Sequence, residues 1–329
     1  RGAARLHRLD HRLGVVHQVR AALPLASWEV TPGVASPQVH FLSNGDYSLL
    51  INSSGGGFAR WHQLDLTRWR ADPTLDDHGM WIYIKDRATN RLWSAGLQPV
   101  AAQPASQTVR FYPHTVEFIR KDGDIATRME IVIAPEVDVE IRRVTLTNHG
   151  EAECDLELTS YAEVILSPQS ADHRHPAYNK LFIESEFIAD GNILLFRRRP
   201  RSADEKPVYL AHFIIGDDDF EIAGYETDRD RFIGRGNTQR APAALQDEAQ
   251  LSNSTATLDP ILALQARILL PEYESHQLAF ITLAAPSRRE ALDLARRFSH
   301  WYRIRKTFDE ARAKTEEELN QLEFSSSQL

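Results

Sequence analysis

Apolar and polar residues alternate in short runs from about Val39 to Leu283. Met80 to Lys85 reads MWIYIK, Thr108 to Ile119 carries Val, Phe and Tyr ahead of Val116 and Phe118, and Arg128 to Ile133 reads RMEIVI. Val137 to Thr147, VDVEIRRVTLT, sets Val137, Val139 and Ile141 on one face. Successive strand side chains point to opposite faces, so this alternation predicts half-buried strands. Asn148-His149-Gly150-Glu151 is a turn signal, after which Cys154, Leu156 and Leu158 alternate with Asp155, Glu157 and Thr159. Together these predict a hairpin with Cys154 on its inward face. Further runs at Leu181–Phe187, Ile193–Arg197, Val208–Ile214, Ala263–Leu269 and Gln277–Leu283 are separated by Gly, Asn, Asp and Pro. No helical pattern of three turns interrupts them. Strands without intervening helices predict antiparallel sheets, here one large double sheet over 31–286.

The pattern changes at both ends. Leu6, Leu9, Leu13 and Val16 recur at helical spacing, so 1–30 reads as a partly helical connector. Ser287-Arg288-Arg289-Glu290 is a capping-box signature, followed by Ala291, Leu294, Ala295, Phe298, Trp301 and Tyr302 at helical spacing. A second signature, Thr307 to Glu310, predicts a break near Arg305. The apolar faces over 287–329 are large for a terminal appendage and need a partner surface.

Charge and composition narrow the classes. The chain has 329 residues, 42% apolar and 26% charged, and its 38 basic against 46 acidic residues give −8, a poor match to a nucleic-acid backbone. Apolar runs such as Leu210 to Ile215 are far too short to span a membrane, which takes roughly 20 residues. A single cysteine, Cys154, forbids an intrachain disulfide and a cysteine-based zinc cluster, and with no secretion signal a cytoplasmic location is expected. The chain starts at Arg1, so it reads as a processed chain or a segment of something longer.

Four clusters are candidates for chemistry. Asn52 to Phe58, NSSGGGF, reads as a sharp turn between strands, because a phosphate cradle needs a helix after it and none follows. Asp172-His173-Arg174-His175-Pro176-Ala177-Tyr178-Asn179-Lys180 reads as a polar loop at a strand end. As a metal site it lacks a third fixed ligand. Its His, Tyr, Asn and Lys suit hydrogen bonding to sugar hydroxyls, with an ordinary solvated loop as the alternative. Tyr225 to Thr238 is dense in alternating charge, with Gly234 and Gly236 flanking Arg235, and reads as an ion-pair network, with an anion site as the alternative. Trp61, Trp69, Trp81 and Trp93 are either sugar-stacking faces or core, with Trp81 read as core and Trp61 and Trp69 as less buried. No Gly-x-Ser-x-Gly elbow occurs.

These stretches carry a resemblance. Leu49–Asn52 through Gly57-Phe58, Leu66–Trp69, Asp77–Asp86 and Trp93-Ser94 resemble the N-terminal domain of the inverting cellobiose and chitobiose phosphorylases. Ser160–Val164, Asp172–Phe182, Tyr225–Thr238 and Leu258-Asp259-Pro260 look more narrowly like the phosphorylase-like region of cyclic β-1,2-glucan synthases. The resemblance runs from about Val39 to Phe298. It implies a mainly β fold, a large antiparallel super-sandwich akin to galactose mutarotase, followed by a helical linker over 287–329 to an (α/α)6 barrel holding the catalytic acid. That barrel lies outside this chain, so no residue here inherits the acid. It further implies inverting phosphorolysis of a β-glucoside with inorganic phosphate as co-substrate and no resident cofactor or metal. A sandwich loop reaches an active site, often across a homodimer, and maps onto Asp172 to Lys180. The implied glucan-binding residues are Asp172, His175, Tyr178, Asn179 and Lys180, with Arg235 added from the charged run. The implied partners are a β-glucan oligosaccharide and the barrel, with no nucleic acid and no membrane contact by this segment, although the parent is a membrane-anchored synthase. The competing readings are a self-sufficient carbohydrate-binding module and, from fold analogy alone, a mutarotase-like epimerase.

Overall fold

A computed structural model describes residues 27–34, 37–70, 72, 74–202, 205–246 and 249–321. Alternation becomes strands almost throughout. The first nine-stranded sheet contains β1 (Trp28–Val30), β8 (Ser106–Tyr112), β9 (Thr115–Asp122), β10 (Ile125–Ile133), β11 (Val139–Asn148), β13 (Ile183–Ile188), β14 (Ile193–Arg198), β15 (Val208–Gly216) and β18 (Ser275–Ala285). Its order is β1-β8-β9-β10-β11-β18-β15-β14-β13. The second contains β2 (Val39–Ser43), β3 (Tyr47–Asn52), β4 (Gly57–Trp61), β5 (Leu64–Thr67), β6 (Trp81–Asp86), β7 (Arg91–Ser94), β12 (Cys154–Ser167), β16 (Glu221–Asp228) and β17 (Pro260–Leu270). Its order is β16-β17-β12-β5-β4-β3-β2, with β6 and then β7 branching from β12. All the strand pairs are antiparallel. The helical reading of Leu6 to Val16 lies outside the described residues.

The two inner faces interdigitate in one core. Leu49, Ile51, Ile84, Leu158 and Leu264 of the second sheet meet Val109, Phe118, Met129, Leu210 and Phe280 of the first, all buried. Two polar ties run through this apolar layer. Tyr47 Oη donates to Glu140 at 3.0 Å, and Arg142 donates to Glu140 at 2.6 Å and to the Met80 carbonyl at 2.5 Å. Ser160 Oγ sits 2.9 Å from His212 Nε2, whose Nδ1 is 3.0 Å from Thr282 Oγ1. The ring is wholly enclosed, and burial, reinforced by Arg142, depresses its pKa to about 3. This serine–histidine pair is sealed from solvent and joins the sheets rather than facing a substrate.

The predicted hairpin around Asn148 is not one. β11 pairs with β10 and β18, while β12 pairs with β17, β6 and β5, so the chain turns a corner from one sheet into the other. Buried Asn148 builds that corner: its Nδ2 donates to the carbonyls of Ala152, Leu270 and Pro271, and its Oδ1 accepts from Gly150 N. Cys154 sits half-buried at the rim of the core, not within it.

Two helices close the outer face of the first sheet. α4 (Arg288–Arg297) starts at Ser287, whose Oγ accepts from Glu290 N at 3.2 Å and donates to the Glu290 carboxylate at 2.7 Å. α5 (Trp301–Gln321) runs unbroken through Arg305. Thr307 is interior to it and its hydroxyl bonds back to the Arg303 carbonyl at 2.8 Å, so the second capping signature does not start a helix. Ala291, Ala295, Phe298, Ile304 and Ala311 bury against Ile141, Ala211, Phe213, Ile281 and Leu283. Arg143 lies 4.0 Å over the Phe308 ring.

Candidate functional site

The Asp172–Lys180 segment folds as two short helices, α1 (Gln169–Arg174) and α2 (Pro176–Lys180), directly after β12. Pro176 fits the second because the first helical position needs no amide donor. Beneath them lies a charge cluster drawn from five stretches of the chain. Glu163, near the end of β12, accepts from Arg68, just past β5, and from Arg229 Nε at 2.8 Å at the start of α3 (Arg229–Ile233). Arg68 also reaches Asp172 at 3.2 Å, and Arg70 reaches its other oxygen at 2.7 Å. Lys180 pairs with Asp259, just before β17, whose carbonyl accepts from Arg229 N at 2.9 Å. Arg198 on β14 donates to the carbonyl and the side chain of Asn179.

The electrostatics hold these groups charged. Burial pushes the Glu163 carboxyl up, but Arg68 and Arg229 outweigh it and leave Glu163 below the ordinary glutamate value. Burial likewise pulls Arg68 down, and Glu163 and Asp172 more than reverse that. Breaking such a buried pair from one side costs about 3–5 kcal/mol, because it strands the remaining charge. His78, on the segment leading to β6, is pulled below its usual value by burial, opposed by Asp77 and Glu163.

This geometry divides the sequence candidates. Asp172 and Asn179 are buried and, with Lys180, are tied to the scaffold. His175 and Tyr178 are exposed, Tyr178 by 52% with its ring edge-on to Phe182 at 5.1 Å. Arg235 is exposed beyond α3 and is not brought to the α1–α2 segment by any described interaction. The charged run around it is a local network. Asp228 caps α3 through Asp230 N and Arg231 N, Glu226 accepts from Ser252, and Arg229 reaches Glu163. Arg68, Arg70 and Glu163 were not singled out as site residues. Arg68 and Glu163 lie within the family-like stretches and Arg70 just beyond Trp69, and no local pattern announces a meeting that spans about a hundred residues.

The other clusters resolve as architecture. Asn52–Gly57 is the tight β3–β4 turn, with Asn52 Oδ1 accepting from Ser54 N and Gly56 N. At Gly57, φ is +155° and a Cβ would lie 1.9 Å from the Leu50 carbonyl oxygen, so only glycine fits. Trp61, read as less buried, is 7% exposed and donates to Asp138 at 2.8 Å. Trp69 is half-buried and stacked on Phe58 at 5.6 Å. Among the described residues no group of three His, Cys, Asp or Glu side chains is placed to hold a metal ion, and no helix is long and apolar enough to cross a membrane.

Comparison with known proteins places this architecture. The glycosyl hydrolase 94 supersandwich domain matches residues 25–301. The chain is 37% identical over 256 residues to the cyclic β-(1,2)-glucan synthase NdvB of Rhizobium meliloti (strain 1021), covering 77% of this chain and 9% of that protein. It is 24% identical over 235 residues to the N,N′-diacetylchitobiose phosphorylase of Vibrio furnissii, covering 69% and 28%. Among solved structures, a bacterial glucoamylase complexed with acarbose superposes at a TM-score of 0.48 and 10% identity, covering 88% of this chain and 38% of that one. The chain thus spans less than a third of either curated relative. On the profile match and the 37% identity together, it belongs to the glycosyl hydrolase 94 family, as a supersandwich domain of that family.

Proposed function

We propose that this chain is the non-catalytic sandwich of a β-glucan-acting phosphorylase-like enzyme of the cyclic β-1,2-glucan synthase kind. The observation that carries this reading is the α1–α2 segment, pinned from below by Asp172, Asn179 and Lys180 and presenting His175 and Tyr178 outward. Fixing a segment before a ligand arrives removes an ordering cost from binding. An imidazole and a phenol offer hydrogen bonds to sugar hydroxyls, and the Tyr178 ring offers an apolar face to pyranose C–H groups. In the parent reaction a carboxylic acid protonates the leaving oxygen while inorganic phosphate attacks the anomeric carbon from the opposite face, so one protein carboxylate suffices. That acid belongs to a helical barrel in the longer protein, with the α4–α5 region as the connection. The same reading makes the barrel and a second copy of the protein the partners of the α1–α2 segment, and places the domain on the cytoplasmic side of a membrane-anchored synthase.

The test is phosphorolysis of linear β-1,2-glucans, followed as release of glucose 1-phosphate. The longer protein is expected to turn over and this chain alone is not. Tyr178→Ala in the longer protein should raise KM about tenfold with kcat nearly unchanged, the signature of lost ground-state binding. Turnover by this chain alone would overturn the reading.

A further inference from the structure

The outer face of the second sheet carries a groove of about 1110 Å³ at the Cys154 end of β12, far from α1 and α2. The register of the sheet explains its floor. Glu157 on β12 stands opposite Lys85 on β6 and opposite Arg267 on β17, and Arg267 stands opposite Glu221 on β16. A straight row of alternating sign therefore crosses four strands. The neighbouring rank is uncharged: Gln265 Nε2 donates to Thr159 Oγ1 at 3.1 Å. Lys85 and Gln265 are more than nine-tenths buried, so the floor is built into the sheet and not merely strewn on it. Arg267 grips Asp155 with both nitrogens at 2.8 and 2.7 Å, and Arg87 bridges Asp155 and Glu157 at 3.1 and 3.2 Å. These pairs hold the polar groups in place before anything binds.

We infer that this groove is a second carbohydrate-holding site, taking a neutral oligosaccharide across β6, β12, β17 and β16. Among the described residues its charges balance, with Lys85, Arg87 and Arg267 against Asp155, Glu157 and Glu221. A balanced floor gives no net attraction to a phosphate, a nucleic acid or a cationic peptide. It does give a dense, fixed array of donors and acceptors, which is what a polyhydroxylated neutral ligand needs. The volume reaches the top of the roughly 300–1,000 Å³ range of ligand pockets, so it admits several sugar rings and not one. Among the described residues no aromatic ring lines it, so binding rests on hydrogen bonds, each of modest net value, and falls in about the 0.1–1 mM range. The stretch of β12 from Glu157 to Ser167 separates the groove from the α1–α2 segment by roughly 30 Å. A long glucan held at both places gains from effective concentration what each contact lacks alone. This inference rests on the β-glucan reading above for its choice of sugar.

Titration of this chain with linear β-1,2-gluco-oligosaccharides, read by saturation-transfer NMR, tests it. Ala223 is an exposed, small residue in the groove wall, so Ala223→Trp fills the space without removing a buried contact. It should weaken binding at least about fivefold with an unchanged melting temperature, and Glu157→Gln should weaken it about threefold. Affinity should hold steady when salt rises from about 20 to 500 mM, where a charge-driven contact would fade. Unchanged binding in Ala223→Trp, with loss only in Tyr178→Ala, overturns the groove and leaves the α1–α2 reading standing. Absence of any binding by this chain at millimolar sugar also overturns the groove, whereas the phosphorolysis assay judges the parent activity independently. Strong salt dependence overturns the neutral-ligand assignment.

Discussion

The outer faces of the two sheets are covered differently, although both carry charged rows, Arg110–Glu117–Glu130–Arg143 on the first and Lys85–Glu157–Arg267–Glu221 on the second. The first sheet turns Ile141, Ala211, Phe213, Ile281 and Leu283 outward, and α4 and α5 cover them. The second turns aromatic and aliphatic residues outward around Trp81, Tyr83 and Tyr161, where Phe232, Ala244 and Leu245 cover them, and again at Phe41, Leu50 and Phe58, where Phe41 stays exposed and Trp69 stacks on Phe58. Trp81 and Tyr83 there donate to Gln239 at 2.9 and 2.8 Å. At the Cys154 end of β12 that face carries the charged row left open. The first sheet anchors two helices over β11, β15 and β18, while the β6–β12–β17–β16 end of the second stays wet. In a sandwich whose core already fills the space between the sheets, the outer faces are where the two halves can specialise.

Four measurements break or sharpen this contrast. The largest effect is expected at the apolar seam, where Ile304→Asp buries an unpaired carboxylate and should cost at least about 4 kcal/mol in urea unfolding. Ala223→Asp on the open face should cost under about 0.5 kcal/mol, and equal losses would erase the distinction. Next comes Glu163→Gln, which leaves Arg229 without its carboxylate and Arg68 with Asp172 alone, and should cost about 3 kcal/mol, with faster proteolysis within 169–180. Because Glu163 is held below its ordinary value, its contribution is complete above about pH 4.5 and is lost as pH falls through the lower folded value. The acid-induced exposure of α1–α2 should therefore vanish in the variant.

The third effect is smaller and belongs to the helix seam. His114 faces Arg312 and Glu316 of α5, and burial, helped by Arg312, takes its pKa from 6.5 to about 4. The unfolded chain binds a proton there that the folded chain refuses. Stability therefore falls as pH drops from about 6.5 toward 4, and His114→Gln should flatten that part of the melting-temperature profile. Smallest of all, Tyr178→Ala should change stability by less than about 0.5 kcal/mol, since the ring is half in solvent. A larger loss would make it a structural residue and not a presented one.

Period and caps in the sequence predict the strands and the start of α4, because both are local. Partner choice is not. Val137–Thr147 and Cys154–Leu158 alternate as two strands of a hairpin would, yet the carbonyls that satisfy Asn148 come from Leu270 and Pro271, over a hundred residues on. The Thr307–Glu310 signature misled for a related reason. A threonine hydroxyl that reaches the carbonyl four residues back suits a helix interior as well as a start, and the real break falls between Arg297 and Trp301. Asp172–Lys180 stands out in the sequence as a polar run, but burial alone separates Tyr178, which faces outward, from Asn179, which does not. The Lys85–Glu157–Arg267–Glu221 row was invisible, since its members come from four strands and align only through register.

The corner at Asn148 has a consequence for synthesis. β8 to β11 form a meander in which each strand pairs with the one before it, so this half of the first sheet can assemble while the chain is still emerging. β12, made next, waits for β17, and β11 waits for β18, which begins at Ser275. On the ribosome the sandwich therefore stays open, with one flank of its central strands unpaired, until the last strands arrive. α4 follows within a few residues of β18, so the moment the second half closes is also the moment its cover becomes available.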